Sequence, residues 1–446
     1  MGAFHAYDIR GIYNIDFNKE DVYKIGFFLP SLLKAEAVLV GRDARESSPE
    51  VFEYLCKGIT DSGADVHDAG LTTTPMVYWG TAHYKLKASV MITASHNPKE
   101  YNGLKVSAAN AVPVGYDTGL KQLEELIKTQ TPQPSKAPGQ IHHIDMKHEY
   151  LNFLQRYLSD FSNLNISIDC SNGMAGVLAK DILGHKHHYI FEELDGTFPN
   201  HEPNPLVEKN LADLKKLVAD KKSDIGIIFD GDADRVMFVD ENGSFIPPDL
   251  IIALMGHYFL EERGEKGWVI QDIRSSRSIA EYLEPMGAKI YTWRVGRAFA
   301  ANKLREIDGV YGGELAGHYY FRDFNYSDSA FVACLIVLKI VSAKHLQGMK
   351  MSEIISKIKT WENSGEINFK LEKKDEAISE LMEKYSAQNP VKILDFDGYR
   401  IEFEDWWFNV RKSNTEPYLR LLVEARTTEL LNKHVQHIKE IIGKHQ

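Results

Sequence analysis

Three carboxylates at alternate positions, Asp230, Asp232 and Asp234, stand in the stretch D-G-D-A-D-R, directly after the apolar run I-G-I-I-F. Carboxylates this close repel one another unless a hard cation lies among them, and oxygen ligands on a tight glycine turn suit Mg²⁺ or Ca²⁺. An Asx-rich turn or a helix cap is the bland alternative. The trio stands where a strand ends rather than inside a surface loop, which favours the metal. An EF-hand is excluded by context, since no helix enters the loop.

A second candidate is M-I-T-A-S-H-N-P-K-E-Y-N-G-L-K, Met91 to Lys105, which sets Ser95 beside His96 at the end of another apolar run. A serine needs activation before it attacks phosphate or carbonyl. The G-x-S-x-G elbow of acyl-transfer enzymes is missing here. Phosphate carried on Ser95 would add about −2 charges and demand a counter-cation, which the Asp loop can hold. Read alone, Ser95 is a loop serine.

In G-G-E-L-A-G-H (312–318), glycines let backbone approach a ligand, and Glu314 and His318 can bond sugar hydroxyls or phosphate. The run R-K-S-N-T-E-P-Y-L-R gathers Arg411, Lys412, Ser413, Asn414, Thr415 and Arg420. Arginine binds phosphate bidentately, and hydroxyls with backbone N–H groups complete such a shell, so this run reads as an anion cradle. A turn capped by S-N-T is the alternative. Y-D-I-R-G (7–11) places Tyr7 and Arg10 at the start of the chain, where residues are ordinarily solvated.

These loops need strands to hold them. A-V-L-V-G (37–41), K-A-S-V-M-I-T (87–93), L-N-I-S-I-D-C (164–170), S-D-I-G-I-I-F-D (223–230) and G-W-V-I-Q-D-I (267–273) are short apolar runs followed by polar loops and amphipathic segments. The alternation predicts α/β units with functional groups at strand C-termini. At 446 residues the chain exceeds a single core. The Pro-rich T-Q-T-P-Q-P-S-K-A-P-G-Q (129–140) reads as a linker, and a second boundary fits near Asn242-Gly243. From about Trp361 the character changes to charged helical segments, a strand pair at Y-R-I-E-F and W-F-N-V-R, and a final helix from Thr428 to Gly443. The expected division is 1–140, 141–243 and 244–360, each α/β, and 361–446, a smaller α+β domain. W-E-N-S-G-E (361–366) reads as a hinge-like linker.

A net charge of −11 argues against nucleic acid or an anionic membrane as the main partner, so anionic ligands must meet locally collected cations. Cys56, Cys170 and Cys334 form no CxxC pair and read as buried thiols. Neither a signal sequence nor an apolar run of about 20 residues appears, and cytoplasm is the default expectation.

The motifs Y-D-I-R-G, T-A-S-H-N-P, D-G-D-A-D-R, G-G-E-L-A-G-H and R-K-S-N-T-E-P, in that order and across essentially the whole chain, resemble the α-D-phosphohexomutase family. The resemblance implies three related mixed-sheet α/β domains and a smaller fourth around a central cleft. It implies that Ser95 is phosphorylated, that Asp230, Asp232 and Asp234 together with Ser95 hold Mg²⁺, and that Arg10 and Arg235 assist near the transferring group. His96 and Lys105 are candidate proton handlers. Glu314 and His318 would contact sugar hydroxyls, and Arg411, Ser413, Asn414, Thr415 and Arg420 the phosphate that is not reacting, with Tyr7 also in the substrate site. The implied reaction interconverts hexose 1- and 6-phosphates of mannose or glucose through a hexose 1,6-bisphosphate. Phosphoglucosamine mutase and a non-catalytic sugar-phosphate sensor are the alternatives, and the oligomeric state stays open. Two departures stand out: Ala316 replaces the usual serine of the sugar loop, and Arg297 stands where many relatives carry histidine. Arginine stays protonated and cannot act as a base, so Arg297 is expected to bind phosphate instead.

Overall fold

Every apolar run singled out above becomes a strand, and the strands assemble into four sheets. The computed structural model describes residues 2–413 and 418–445. The first sheet contains β1 (Ile9–Ile12), β2 (Ala37–Arg42), β3 (Asp65–Leu71), β4 (Ala88–Ile92), β5 (Tyr101–Ala108) and β6 (Ile141–His143), in the order β1-β5-β4-β2-β3-β6. The second contains β7 (Ile166–Asp169), β8 (His188–Ile190), β9 (Ile225–Phe229), β10 (Val236–Asp240) and β11 (Phe245–Ile246), ordered β11-β10-β9-β7-β8. The third contains β12 (Gly267–Asp272), β13 (Ala288–Trp293), β14 (Tyr311–Gly313), β15 (Tyr319–Phe321) and β16 (Ser327–Asp328), ordered β13-β12-β14-β15-β16.

All three share one plan, a parallel centre with an antiparallel edge. The last parallel strand is turned back by a hairpin, β4 to β5, β9 to β10 and β14 to β15. Strands β4 and β9 are buried along their whole length, which explains why they read as unbroken apolar runs instead of alternating.

The fourth sheet is antiparallel throughout. It contains β17 (Glu362–Asn363), β18 (Ile367–Lys370), β19 (Lys392–Leu394), β20 (Tyr399–Glu402), β21 (Trp406–Lys412) and β22 (Tyr418–Ala425), with β17 and β18 both on β22. The helix Thr428–Gly443 covers it, started by the Thr427 side chain accepting from Leu430 N–H.

Two expected boundaries fall inside sheets. Strand β6 pairs with β3, so residues 141–143 extend the first sheet: the Pro-rich segment marks a surface crossing, not the end of the sheet. Likewise β11 pairs with β10 beyond position 243. The linker reading of 361–366 also fails at its start. Trp361 is buried against Trp407 and Leu422, with Arg277 and Arg426 guanidinium groups 4.6 and 4.1 Å from its ring, and Glu362–Asn363 is a strand.

The helix Ala330–His345 has no polar face over its first three turns and is accordingly buried all round. Phe331 packs against Phe229 of the second sheet, with ring centroids 4.9 Å apart. One contiguous apolar cluster thereby runs from Leu39 to Ile358 across three sheets, while the other face of the first sheet holds a cluster of its own, Ala3 to Ile127, and the fourth sheet keeps its own core. The three cysteines are buried free thiols. Among the described residues no helix is long and apolar enough to cross a membrane.

Candidate active site

The three hairpin turns that end β4, β9 and β14 meet. Thr74 N–H donates to Asp232 C=O at 3.0 Å, joining the first domain to the Asp loop, and Val236 N–H donates to Gly317 C=O at 3.3 Å, joining the Asp loop to the sugar loop. Arg235 and His318 form an isolated antiparallel bridge at the same seam. A β-carbon on Gly231 would stand 2.5 Å from Ser95 C=O, so only glycine lets the Asp loop come this close.

Ser95 sits at φ +52°, an uncommon conformation for a residue with a β-carbon, and its N–H is held by Thr93 Oγ1 at 2.9 Å. Its hydroxyl donates to Asp230 Oδ2 at 2.8 Å and lies 3.4 Å from His96 Nδ1. Lys105 Nζ reaches Asp232 Oδ2 at 2.6 Å and Asp234 Oδ2 at 2.5 Å, and Thr74 Oγ1 also donates to Asp232. Arg235 Nε is 3.8 Å from Asp230 and 4.0 Å from Asp234. Arg10 donates to Asn97 Oδ1 at 2.8 Å and pairs with Asp8.

The trio is fully buried, with oxygens within 4.8 Å of one another. Burial, then Asp234 and Asp232, push the Asp230 carboxyl well above the usual carboxylate range. Three ionised carboxylates cannot share so small and dry a space without counter-charge. Among the described residues Asp232 Oδ1 and Asp234 Oδ1 accept no hydrogen bond. Buried carboxylate oxygens left over in this way fit a hard divalent cation.

Burial would depress the Lys105 ammonium, but Asp232 and Asp234 more than offset it and its pKa is raised. His96 is held neutral, first by burial and then by Arg235, Arg10 and Lys105.

On the sugar loop, Glu314 Oε1 accepts from Gly296 N–H at 3.2 Å and Tyr320 OH at 2.9 Å, and burial raises its carboxyl pKa. His318 Nδ1 lies 2.6 Å from Asp328 Oδ2, while Arg297 Nε donates to Asp328 Oδ1 at 3.0 Å. The Arg297 guanidinium stacks over Tyr78 at 3.7 Å, and its Nη2 is buried without a hydrogen bond among the described residues. The expected phosphate ligand therefore has one arm committed to the His318 partner. Tyr7 lies on Gly296 and edge-on to Phe299.

In the fourth domain Arg411 and Arg420 are directly opposite one another on β21 and β22. Like charges in that relation are unfavourable. Arg411 Nη1 is 3.5 Å from Asp397 and Arg420 Nη1 is 3.2 Å from Glu366. Burial, then Arg274, lower the Arg411 pKa. Ser413 N–H bonds Tyr418 C=O at 2.9 Å, while Asn414 and Thr415 lie outside the described residues.

Sequence reasoning missed Arg45, Thr74, Arg274 and Asp328. Arg274 is locked to Asp272, its Nη2 2.8 Å from Oδ2, and the same Asp272 accepts Leu315 N–H at 2.8 Å, so the third domain contributes a cation tied to the sugar loop. Arg45 and Arg274 each follow a strand-ending Asp, in R-D-A-R and Q-D-I-R, and that spacing was the available signal. Thr74 and Asp328 carry none.

Four family models of the phosphoglucomutase/phosphomannomutase type match: alpha/beta/alpha domain I at residues 1–134, domain II at 148–243, domain III at 247–361 and the C-terminal domain at 366–441. Among relatives, phosphohexose mutases of Xanthomonas campestris pv. campestris are 36% identical over 99% of both chains. A Vibrio cholerae phosphomannomutase is 34% identical over 100% of this chain and 99% of its own. A phosphoglucomutase/phosphomannomutase family protein of Burkholderia thailandensis superposes with TM-score 0.87 at 26% identity, covering 99% of this chain and 97% of that one. The four sheets and converging hairpins of this chain agree with these full-length matches, and the chain belongs to the phosphoglucomutase/phosphomannomutase family of mutases.

Proposed function

We propose that this mutase interconverts hexose 1-phosphate and hexose 6-phosphate, of mannose or glucose, with Ser95 carrying the phosphoryl group and a hexose 1,6-bisphosphate as intermediate. The observation that carries this reading is the Ser95 hydroxyl, 2.8 Å from the buried Asp230. Asp230, Asp232 and Asp234 would hold Mg²⁺, which when bound offsets charge on the phosphoryl oxygens.

In the first half-reaction the substrate hydroxyl oxygen bonds to phosphorus as the Ser95 Oγ–P bond breaks; the hydroxyl loses its proton and Oγ regains one. The bisphosphate then turns over and returns its other phosphoryl group to Ser95 by the reverse step. Because phosphoryl transfer depends mostly on positioning and charge stabilisation, a fixed set of cations suits it. Arg10, Arg235 and Lys105 supply that set. Lys105 is held protonated by two carboxylates and acts here as counter-charge, while neutral His96, with Nδ1 3.4 Å from Oγ, is the better placed proton acceptor. Glu314 and His318 orient sugar hydroxyls. Arg411, Ser413, Asn414, Thr415 and Arg420 hold the distal phosphate, with Arg297 and Tyr7 lining the path.

The test pairs intact mass with an isomer-exchange assay. The parent protein should carry one phosphate that mannose or glucose phosphates remove, and Ser95→Ala should lose both phosphate and exchange even with a bisphosphate primer. Full turnover by Ser95→Ala would overturn the shuttle. Relative kcat/KM on mannose, glucose and glucosamine phosphates decides the sugar, and faster turnover of the glucosamine phosphate would favour the phosphoglucosamine alternative.

A further inference from the structure

We infer that Arg45 is a positioning residue for Ser95, a strut that holds the serine turn in its left-handed form from behind. The inference rests on Ser95 being the phosphoryl carrier. Arg45 is buried beneath the loop, and its hydrogen bond to Ser95 runs to the backbone carbonyl and not to the hydroxyl. Its Nη2 donates to Ser95 C=O at 2.9 Å and Asn97 C=O at 2.7 Å, and its Nη1 to Pro98 C=O at 2.6 Å and Tyr101 C=O at 3.0 Å. One guanidinium thus collects four backbone carbonyls of the segment 95–101.

That convergence is unfavourable without the cation. Four carbonyl oxygens turned to one buried point would repel one another and lack donors. The strut is itself braced. Arg45 Nε bonds Asp43 Oδ2 at 3.1 Å, and Ser48 Oγ donates to Asp43 Oδ1 at 2.6 Å.

The second domain closes over it. The Phe198 ring lies 5.0 Å from the guanidinium, and Gly196 is packed so closely that an added β-carbon would be 2.1 Å from Ala44 C=O. Arg10 grips the other side of the same turn through Asn97 Oδ1. Ser95 at φ +52° is therefore held between two guanidinium groups, only one of which faces the chemistry. A planar fork is required for this: a lysine ammonium has three donors at a point and cannot span four carbonyls.

The experiment first establishes that the parent carries phosphate on Ser95 and turns over hexose phosphate; if it does not, the functional reading fails and not the strut. Arg45→Lys is then compared with the parent in kcat, KM and thermal midpoint. A misplaced nucleophile should lower kcat by about 100-fold while KM stays within about threefold. In Arg45→Ala, added guanidinium ion should restore part of kcat, which a general loss of stability would not allow. Arg45→Lys with kcat within threefold of the parent, or no guanidinium rescue in folded Arg45→Ala, would overturn the proposal. Should neither variant be recovered folded, Asp43→Asn decides, because it removes the carboxylate charge that braces Arg45 Nε and leaves the serine loop itself unaltered. A several-fold fall in kcat at parental KM supports the strut, and parental kcat overturns it.

Discussion

Ser95 Oγ donates to Asp230 Oδ2 at 2.8 Å across the junction of two domains. The serine comes from the hairpin after β4 and the aspartate from the hairpin after β9, so neither domain alone contains the pair. The same bond makes the carboxylate trio answerable to mutation in two opposed ways.

Asp230→Asn should relieve repulsion inside the trio while weakening its hold on a divalent cation. In chelator we expect the variant to be more stable than the parent by about 1–2 kcal/mol. With added Mg²⁺ the parent should gain stability by linkage and the variant much less, with exchange activity down at least about 100-fold. Urea unfolding with and without Mg²⁺ reads both. An equal Mg²⁺ response in the two proteins would count against the metal assignment.

Lys105→Met strands two buried carboxylates, since Asp232 and Asp234 lose the ammonium at 2.6 and 2.5 Å. Breaking a buried pair from one side costs about 3–5 kcal/mol. The double variant Lys105→Met with Asp232→Asn should recover part of that loss. Additive losses in the cycle would show that the two side chains do not interact.

Arg411 faces Arg420 across two strands, an arrangement that folding alone would avoid. Arg411→Ala should therefore leave the fold intact or slightly more stable. Losing a charge-assisted bond to phosphate, worth about 1.5–3 kcal/mol, should raise KM for hexose phosphate about 10- to 100-fold. An unchanged KM would remove Arg411 from the cradle.

Away from the chemistry, Asp249 starts the helix Pro248–Leu254, and its Oδ2 accepts Ser276 N–H at 2.8 Å. Burial first, then Glu424 and Asp272 against the hydrogen bond, push its carboxyl up to about 7 from the ordinary 3.8. The folded state thus holds this proton more tightly than the unfolded chain. The resulting stability is present in full below about pH 4 and is lost as pH rises to about 7. Asp249→Asn should flatten the fall in stability between about pH 4 and 7, by at most about 4 kcal/mol at about 1.4 kcal/mol per pKa unit. Parallel stability curves for parent and variant would contradict this.

Much of the fold was legible because the central parallel strands are buried on both faces and read as apolar runs with polar loops behind them. Strands β4, β7, β9 and β12 were located from that pattern alone. Less visible were the edges. Strand β6, I-H-H, is exposed along its length and carries no periodic signal, so the Pro-rich segment before it reads as a linker between domains. At the site, residues lying within a motif were legible, and those acting on it from elsewhere were not. Asp328 reaches His318 from ten positions later, and Thr74 reaches Asp232 from 158 positions earlier. Lys105, in sequence a candidate proton handler, gains in the fold two partners that the sequence does not show, Asp232 and Asp234, which raise its pKa against the effect of burial.

The buried helix Ala330–His345 has a consequence for how the molecule comes apart. Its apolar surface is shared between the second and third sheets, and the cluster it belongs to continues into the first. Four sheets therefore do not amount to four units of unfolding. A calorimeter should see the second and third melt as one cooperative block, because separating them strips the helix to water, whereas the first keeps a core of its own beside its share of the common cluster. The fourth sheet, whose core shares no residue with that block, should melt as a transition of its own.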